Sequence, residues 1–136
     1  MAGIVYLDSS ALVKLVVREA ESDALTTALA SLPARWAASV IAEVEVVRVL
    51  LRVEGGAALR PRARALLACL ELIEVDAEVR RLAALLDPPS LGSLDAIHLA
   101  AAFGLRDELA AFLTYDRQLR EAAKAVDLPA LAPGQD

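Results

Sequence analysis

Short apolar runs alternate along the chain with stretches in which apolar residues recur every three or four positions. Ile4 to Leu7 is an apolar run closed by Asp8, Ser9 and Ser10, the pattern of a buried strand with a polar end. Leu12, Leu15 and Val16 follow with helical spacing. A second helix is expected over Ser22 to Leu32, with Leu25, Leu29 and Leu32 on one side and Pro33 as its stop. Trp36 to Ser39 is a weaker strand candidate. It leads into a helix whose expected apolar stripe is Val40, Val44, Val47 and Leu51, closed by Gly55 and Gly56. Next come a helix over residues 57–70, a buried strand from Leu72 to Val75, and a helix from Ala77 to Leu86 stopped by Pro88 and Pro89. The remainder reads as a helix from Leu94 to Phe103, a strand from Ala110 to Tyr115, a helix from Arg117 to Ala125, and a short segment from Pro129 to Leu131 before a polar tail.

Buried strands alternating with helices predict an α/β fold in three α/β/α layers, with a mostly parallel central sheet covered on both faces. At 136 residues the chain is expected to form a single domain, its core spanning about residues 4–131. Ligands of open parallel sheets bind outside the carboxyl ends of the strands, so residues just after a strand are the first candidates for chemistry.

Composition narrows the class. Hydrophobic residues make up 57 % of the chain and charged residues 24 %, the profile of a packed core and not of a disordered segment. The apolar runs are far shorter than the roughly 18 residues that span a bilayer, so no membrane role is expected. The N-terminus lacks the pattern of a secretory signal, and the cytoplasm is the expected location. Cys69 is the only cysteine and lies in an apolar run, which predicts a buried structural thiol. A net charge of −5 argues by itself against nucleic acid. Carboxylates that converge on divalent cations would be neutralised locally, so the charge does not decide the question.

Two aspartates occupy the favoured position, Asp8 after the first strand and Asp116 after Leu113, Thr114 and Tyr115. Either is also a good helix N-cap. A third carboxylate, Asp95, falls in the first turn of a predicted helix, where the helix dipole favours negative charge. Topology would bring all three to one sheet edge. Crowded carboxylates resist joint ionisation and call for a cation, and Mg²⁺ is commonly held by one or two carboxylates with water and substrate phosphates. A fourth carboxylate would come from the helix after Ser39, where spacing alone does not choose between Glu43 and Glu45. Glu45 shares a flank with Arg48 and Arg52, which suits either an exposed ion pair with Arg48 or a ligand beside a phosphate-binding pair.

Three blocks together resemble the PIN domain, and specifically the VapC toxins of bacterial type II toxin–antitoxin pairs. They are Tyr6-Leu7-Asp8-Ser9-Ser10-Ala11-Leu12-Val13-Lys14-Leu15, Leu94-Asp95-Ala96-Ile97-His98-Leu99-Ala100 and Leu113-Thr114-Tyr115-Asp116-Arg117. The resemblance runs from Ile4 to about Leu131. It implies that Asp8, Glu45, Asp95 and Asp116 are the catalytic metal ligands, Glu45 being selected over Glu43 by the family spacing Ser39, Glu45, Arg48. It implies a supporting hydroxyl at Ser10 for the first aspartate and at Thr114 near the last, with Arg48 a candidate RNA contact. His98, the only histidine, stands in a block that often carries one and is expected to serve helix packing. The aromatics Tyr6, Trp36, Phe103, Phe112 and Tyr115 are scattered and are expected to fill the core. Arg60, Arg62 and Arg64 suit a solvated helix start as well as an RNA contact.

The implied activity is an endoribonuclease that hydrolyses RNA, often transfer RNA, with one or two Mg²⁺ or Mn²⁺ ions, leaving a 3′-hydroxyl and a 5′-phosphate. The implied partners are a cognate VapB-type antitoxin and a second copy in a homodimer. Two rivals remain: a non-catalytic interaction module of the same fold, and an aspartate-based phosphotransfer or phosphatase domain. The second lacks an aspartate two residues after Asp8 and a lysine after a late strand.

Overall fold

The first strand, β1 (Ile4–Leu7), is buried along its whole length in the computed structural model, which describes residues 3–32 and 35–135. Its side chains alternate, Ile4 and Tyr6 entering one core and Val5 and Leu7 the other, so every position is apolar because both faces are covered. β2 (Arg35–Ser39) pairs with one edge of β1 and β4 (Leu109–Leu113) with the other. β3 (Glu71–Ile73) extends the sheet beyond β2, and β5 (Ala130–Leu131) extends it beyond β4. The order is β3-β2-β1-β4-β5 and every pairing is parallel. The sheet is thus parallel throughout, where a mostly parallel one was expected.

Parallel neighbours require crossovers, and helices supply them. α1 (Ser9–Val16) and α2 (Ser22–Ala30) join β1 to β2. α3 (Ala42–Leu50), a 3₁₀ turn at Gly56–Leu59 and α4 (Arg60–Ala68) join β2 to β3. α5 (Ala77–Leu85) and α6 (Ser93–Phe103) lead to β4, and α7 (Arg117–Ala125) to β5. The helices α1 to α4 pack on the Val5 and Leu7 face, while α6 and α7 pack on the Ile4, Tyr6 and Phe112 face, which gives the three layers. The chain leaves β1 toward β2 but reaches β4 on the opposite side. The crevice beyond the carboxyl ends of β1 and β4 is therefore the topological switch point of the sheet. Among the described residues no helix is long and apolar enough to cross a membrane.

Several expectations need correction. α3 buries Ala42, Val46 and Leu50, while Val44 and Leu51 are 62 % and 56 % exposed, so the predicted stripe is out of phase. Val40 precedes the helix, and with apolar residues nearly all round it, a second stripe at the same spacing through the small Ala42 fits equally well. β3 is a half-buried edge strand and not a buried one. β4 ends at Leu113, which leaves Thr114 and Tyr115 in the segment that follows. Cys69 is exposed, as the C-cap of α4, a helix that buries only Ala63. The predicted stop at Pro33 lies outside the described residues.

The turn after α3 has two glycines with different duties. Gly55 adopts a left-handed φ of 74°, whereas a Cβ on Gly56 would lie 1.9 Å from the carbonyl oxygen of Leu50. Replacing Gly55 by Ala is expected to destabilise the fold by about 1 kcal/mol through backbone strain. Gly56→Ala should cost about 2–3 kcal/mol, because backbone atoms must separate. Urea unfolding midpoints check the order; a Gly56→Ala midpoint equal to the parent's would refute the close approach.

Candidate active site

The turn from β1 into α1 requires a cap, and Asp8 supplies it: its Oδ1 accepts from the backbone N–H of Ala11 at 2.9 Å. The same oxygen accepts from the Ser10 hydroxyl at 2.6 Å, and Oδ2 accepts from the Thr114 hydroxyl at 2.5 Å. Asp8 is only 3 % exposed. Burial pushes its carboxyl pKa up, and the three hydrogen bonds offset only part of that effect. Three of its roughly four acceptor positions are occupied, leaving one on Oδ2. Thr114, expected beside the last aspartate, thus supports the first and meets Asp116 only through the Asp116 backbone N–H, at 3.1 Å.

Asp116 repeats the capping arrangement at α7, its Oδ1 accepting from the Leu119 N–H at 2.8 Å. Asp95 lies in the first turn of α6, which is capped by Gly92 without a side-chain bond. Among the described residues its carboxylate has no hydrogen-bond partner. Burial, together with the charges of Asp116 and Asp8, pushes its pKa up to about 6. Glu45, near the start of α3, is half-buried and accepts at Oε1 from the Ser9 hydroxyl and, at 2.7 Å, from Nε2 of His98. Burial opposes its ionisation, but these hydrogen bonds outweigh it and hold the carboxyl below its ordinary value.

All four carboxylates line one cleft of about 590 Å³ at the β1/β4 crevice, with Ser9, Ser10, Lys14, Arg48, Arg52, His98 and Tyr115. Glu43 lies elsewhere, in a second cavity beside Arg60 and Arg64. The ion pair suggested for Glu45 and Arg48 does not form; Glu45 bonds to His98 and Ser9 instead. Among the described residues Arg48 and Arg52 make no ion pair or side-chain hydrogen bond, whereas Lys14 is held by Glu19 and Glu21. His98, expected to serve only packing, is buried with both ring nitrogens hydrogen-bonded, one of them to Glu45. Sequence reasoning missed Ser9 as well; its one signal was a position next to Asp8 on the cleft edge. Tyr115 packs against the Val5 and Leu7 core and also lines the cleft, its hydroxyl tied to the Pro133 carbonyl at 2.7 Å.

The donor set suits a hard, hydrated cation better than a closed chelate. Among the described residues no three acidic, histidine or cysteine side chains stand ready around one ion. Unused acceptors remain on Asp95, on Oε2 of Glu45, on Oδ2 of Asp116 and in part on Asp8. That set matches Mg²⁺-type binding, in which one or two carboxylates act with water and phosphate oxygens. Burial first, and then the charges of Asp116 and Asp8, raise the pKa of Asp95, so a cation at this site would favour its ionised form.

Known proteins resemble the chain over nearly its whole length. The family model described as PIN domain matches residues 5–125. Ribonuclease VapC35 of Mycobacterium tuberculosis is 45 % identical over 137 residues, covering 97 % of this chain and 98 % of the relative. Ribonuclease VapC46 of the same organism is 46 % identical over 129 residues, covering 95 % and 97 %. A solved structure described as a toxin–antitoxin complex from Klebsiella pneumoniae aligns with a TM-score of 0.71 at 22 % identity, covering 95 % of this chain and 97 % of that one, a likeness of fold.

Asp95 carries a pH signature. Its folded pKa of about 6 exceeds the unfolded value, so the native state binds the extra proton and metal-free stability falls as pH rises from about 4 through 6. Asp95→Asn is expected to remove that slope and to be more stable than the parent at neutral pH by about 1 kcal/mol, after allowance for solvent screening. Chemical denaturation at several pH values in chelator checks this; parallel curves for the two proteins would refute it.

Proposed function

The chain belongs to the PIN-domain family, in its VapC-type branch, and we propose that it is a divalent-metal-dependent endoribonuclease toxin. The observation that carries the reading is the gathering of Asp8, Glu45, Asp95 and Asp116 on one cleft at the switch point of the sheet, with Arg48 and Arg52 beside them. Ribonuclease names on relatives of matching length support the activity.

In this reading Asp95, Asp116, Glu45 and the remaining acceptor of Asp8 hold Mg²⁺ or Mn²⁺. The ion, when bound, eases ionisation of an attacking water and offsets charge at the phosphate and leaving oxygen. The rest is work for the protein. Ser10, Ala11 and Thr114 keep Asp8 fixed, Ser9 and His98 keep Glu45 fixed, and the caps of α1 and α7 set the spacing of the strand-end aspartates. Arg48, on α3, and Arg52, in the turn just after it, offer their guanidinium groups to the RNA backbone, a role that suits them because both side chains line the same cleft as Glu45. A VapB-type antitoxin is the proposed inhibitor, its basic groups compensating the same carboxylates, and a cytoplasmic homodimer the proposed assembly.

Purified protein is expected to cleave RNA with Mg²⁺ or Mn²⁺, to stop in chelator, and to lose about 100-fold or more of its rate in Asp8→Asn, the scale of losing a charge-stabilising group. Cleavage that persisted through both chelation and the substitution would overturn the mechanism.

A further inference from the structure

The single histidine joins the strand layer to the cleft. His98 is 1 % exposed; its Nδ1 lies 2.7 Å from the Tyr6 hydroxyl, and its Nε2 lies 2.7 Å from Oε1 of Glu45 and 3.2 Å from the Ser9 hydroxyl. The Tyr6 oxygen also accepts the backbone N–H of Ser39, at 3.0 Å. An amide N–H only donates, so among the described residues the hydroxyl hydrogen of the fully buried Tyr6 has one acceptor within reach, Nδ1 of His98. A hydrogen on Nδ1 would leave that hydroxyl without a partner in the interior, an arrangement native structures avoid. Nδ1 therefore accepts, and the hydrogen of the neutral ring sits on Nε2, facing Glu45.

Direction runs one way along this chain of bonds. The Ser39 N–H donates to Tyr6, Tyr6 to His98, and His98 to Glu45. Burial raises the Tyr6 pKa well above its ordinary value, so the phenol stays a donor across the whole working pH range. The Ser9 hydroxyl donates to the same Glu45 oxygen, leaving Oε2 as the oxygen with no partner among the described residues. The relay begins at Ser39 and ends at Glu45, both on the β2-to-α3 segment, and passes through β1 and α6 between them.

We propose that His98 is a positioning residue for the cleft: the Ser39–Tyr6 pair fixes its Nε2–H tautomer, and that N–H with the Ser9 hydroxyl fixes Glu45 so that Oε2 is the oxygen available to a cation. The metal part of this inference rests on the nuclease reading above. The comparable device in metal sites is a partner that orients a ligand without touching the ion, and losing such partners typically weakens metal binding about 10–100-fold.

Because the chain has one histidine, its imidazole ¹⁵N signals are unambiguous. Long-range ¹H–¹⁵N spectra of the wild-type protein at neutral pH should show a protonated Nε2 and a bare Nδ1, and Tyr6→Phe should turn this into a mixture of tautomers. Mn²⁺ binding, measured without RNA by electron paramagnetic resonance, should weaken by about tenfold or more in His98→Leu and recover in His98→Gln, whose amide N–H can replace the Nε2 donor. A wild-type Nδ1–H tautomer, or Mn²⁺ bound by His98→Leu as tightly as by the parent, would overturn the proposal. A wild type that binds no Mn²⁺ would instead overturn the metal-dependent reading, while the tautomer and its response to Tyr6→Phe still decide the relay. The wild-type spectrum requires no variant to fold.

Discussion

A carboxylate taken almost wholly out of water governs this structure. An ionised group in an apolar interior is unfavourable by several kcal/mol unless hydrogen bonds replace its water, and Asp8 obtains three from two separate segments. The Ser10 and Ala11 donors exist only if α1 begins at Ser9. The Thr114 donor exists only if β4 ends level with β1. Register and site are consequently one constraint: Leu7 pairs with Leu113, the Asp8 N–H donates to the Leu113 carbonyl at 3.1 Å, and a slip of one residue would remove Thr114 from Oδ2. The constraint propagates through Ser10, which accepts the Tyr115 N–H, and through Thr114, which accepts the Asp116 N–H. The start of α7 is thereby tied to the end of β1.

Capping and chemistry are often treated as competing explanations for an acidic residue at a helix start. In the proposed site the same side chains, Asp8 and Asp116, would serve both. A cap occupies one oxygen and aims the other, so Asp116 spends Oδ1 on the Leu119 N–H and keeps Oδ2. The cap is therefore the means by which a strand-end carboxylate is held still, whereas Asp95 has no such bond among the described residues, and burial with neighbouring charge pushes its pKa up to about 6.

The parts of this fold that were legible from sequence are those that one local signal decides. β1 and α7 lie where apolar run and cap predict them, at Ile4–Leu7 and Arg117–Ala125. The convergence of Asp8, Asp95 and Asp116 on one edge followed from strand-then-helix alternation alone. What stayed hidden depends on contacts far apart in the chain. The phase of α3 is decided by packing against α1 and the sheet, since its Val and Leu positions support two stripes. The burial of Cys69 failed because an apolar neighbourhood in sequence does not say which layer covers it. His98 had no local signal of its partners, because Tyr6 lies 92 residues away and Glu45 53. Thr114 was assigned to its neighbour in sequence, although its hydroxyl bonds across 106 residues to Asp8.

Charge distribution reconciles an acidic chain with an anionic substrate. The net charge of −5 would repel RNA if it were spread evenly. The structure instead separates two kinds of charge around the cleft. Lys14 is held by Glu19 and Glu21 and stacks on Tyr115, so its charge is already matched within the protein. Arg48 and Arg52 are not matched among the described residues, and neither is Asp95. A surface optimised only for stability would pair such groups or move them apart, as natural surfaces commonly do away from working sites. Here Arg48 on α3 and Arg52 in the turn just after it line the same cleft as the carboxylates, without an ion pair among the described residues. On the proposed function that mismatch would be resolved when a cation meets the carboxylates and a phosphate backbone meets the arginines, since each would then neutralise what the fold leaves open.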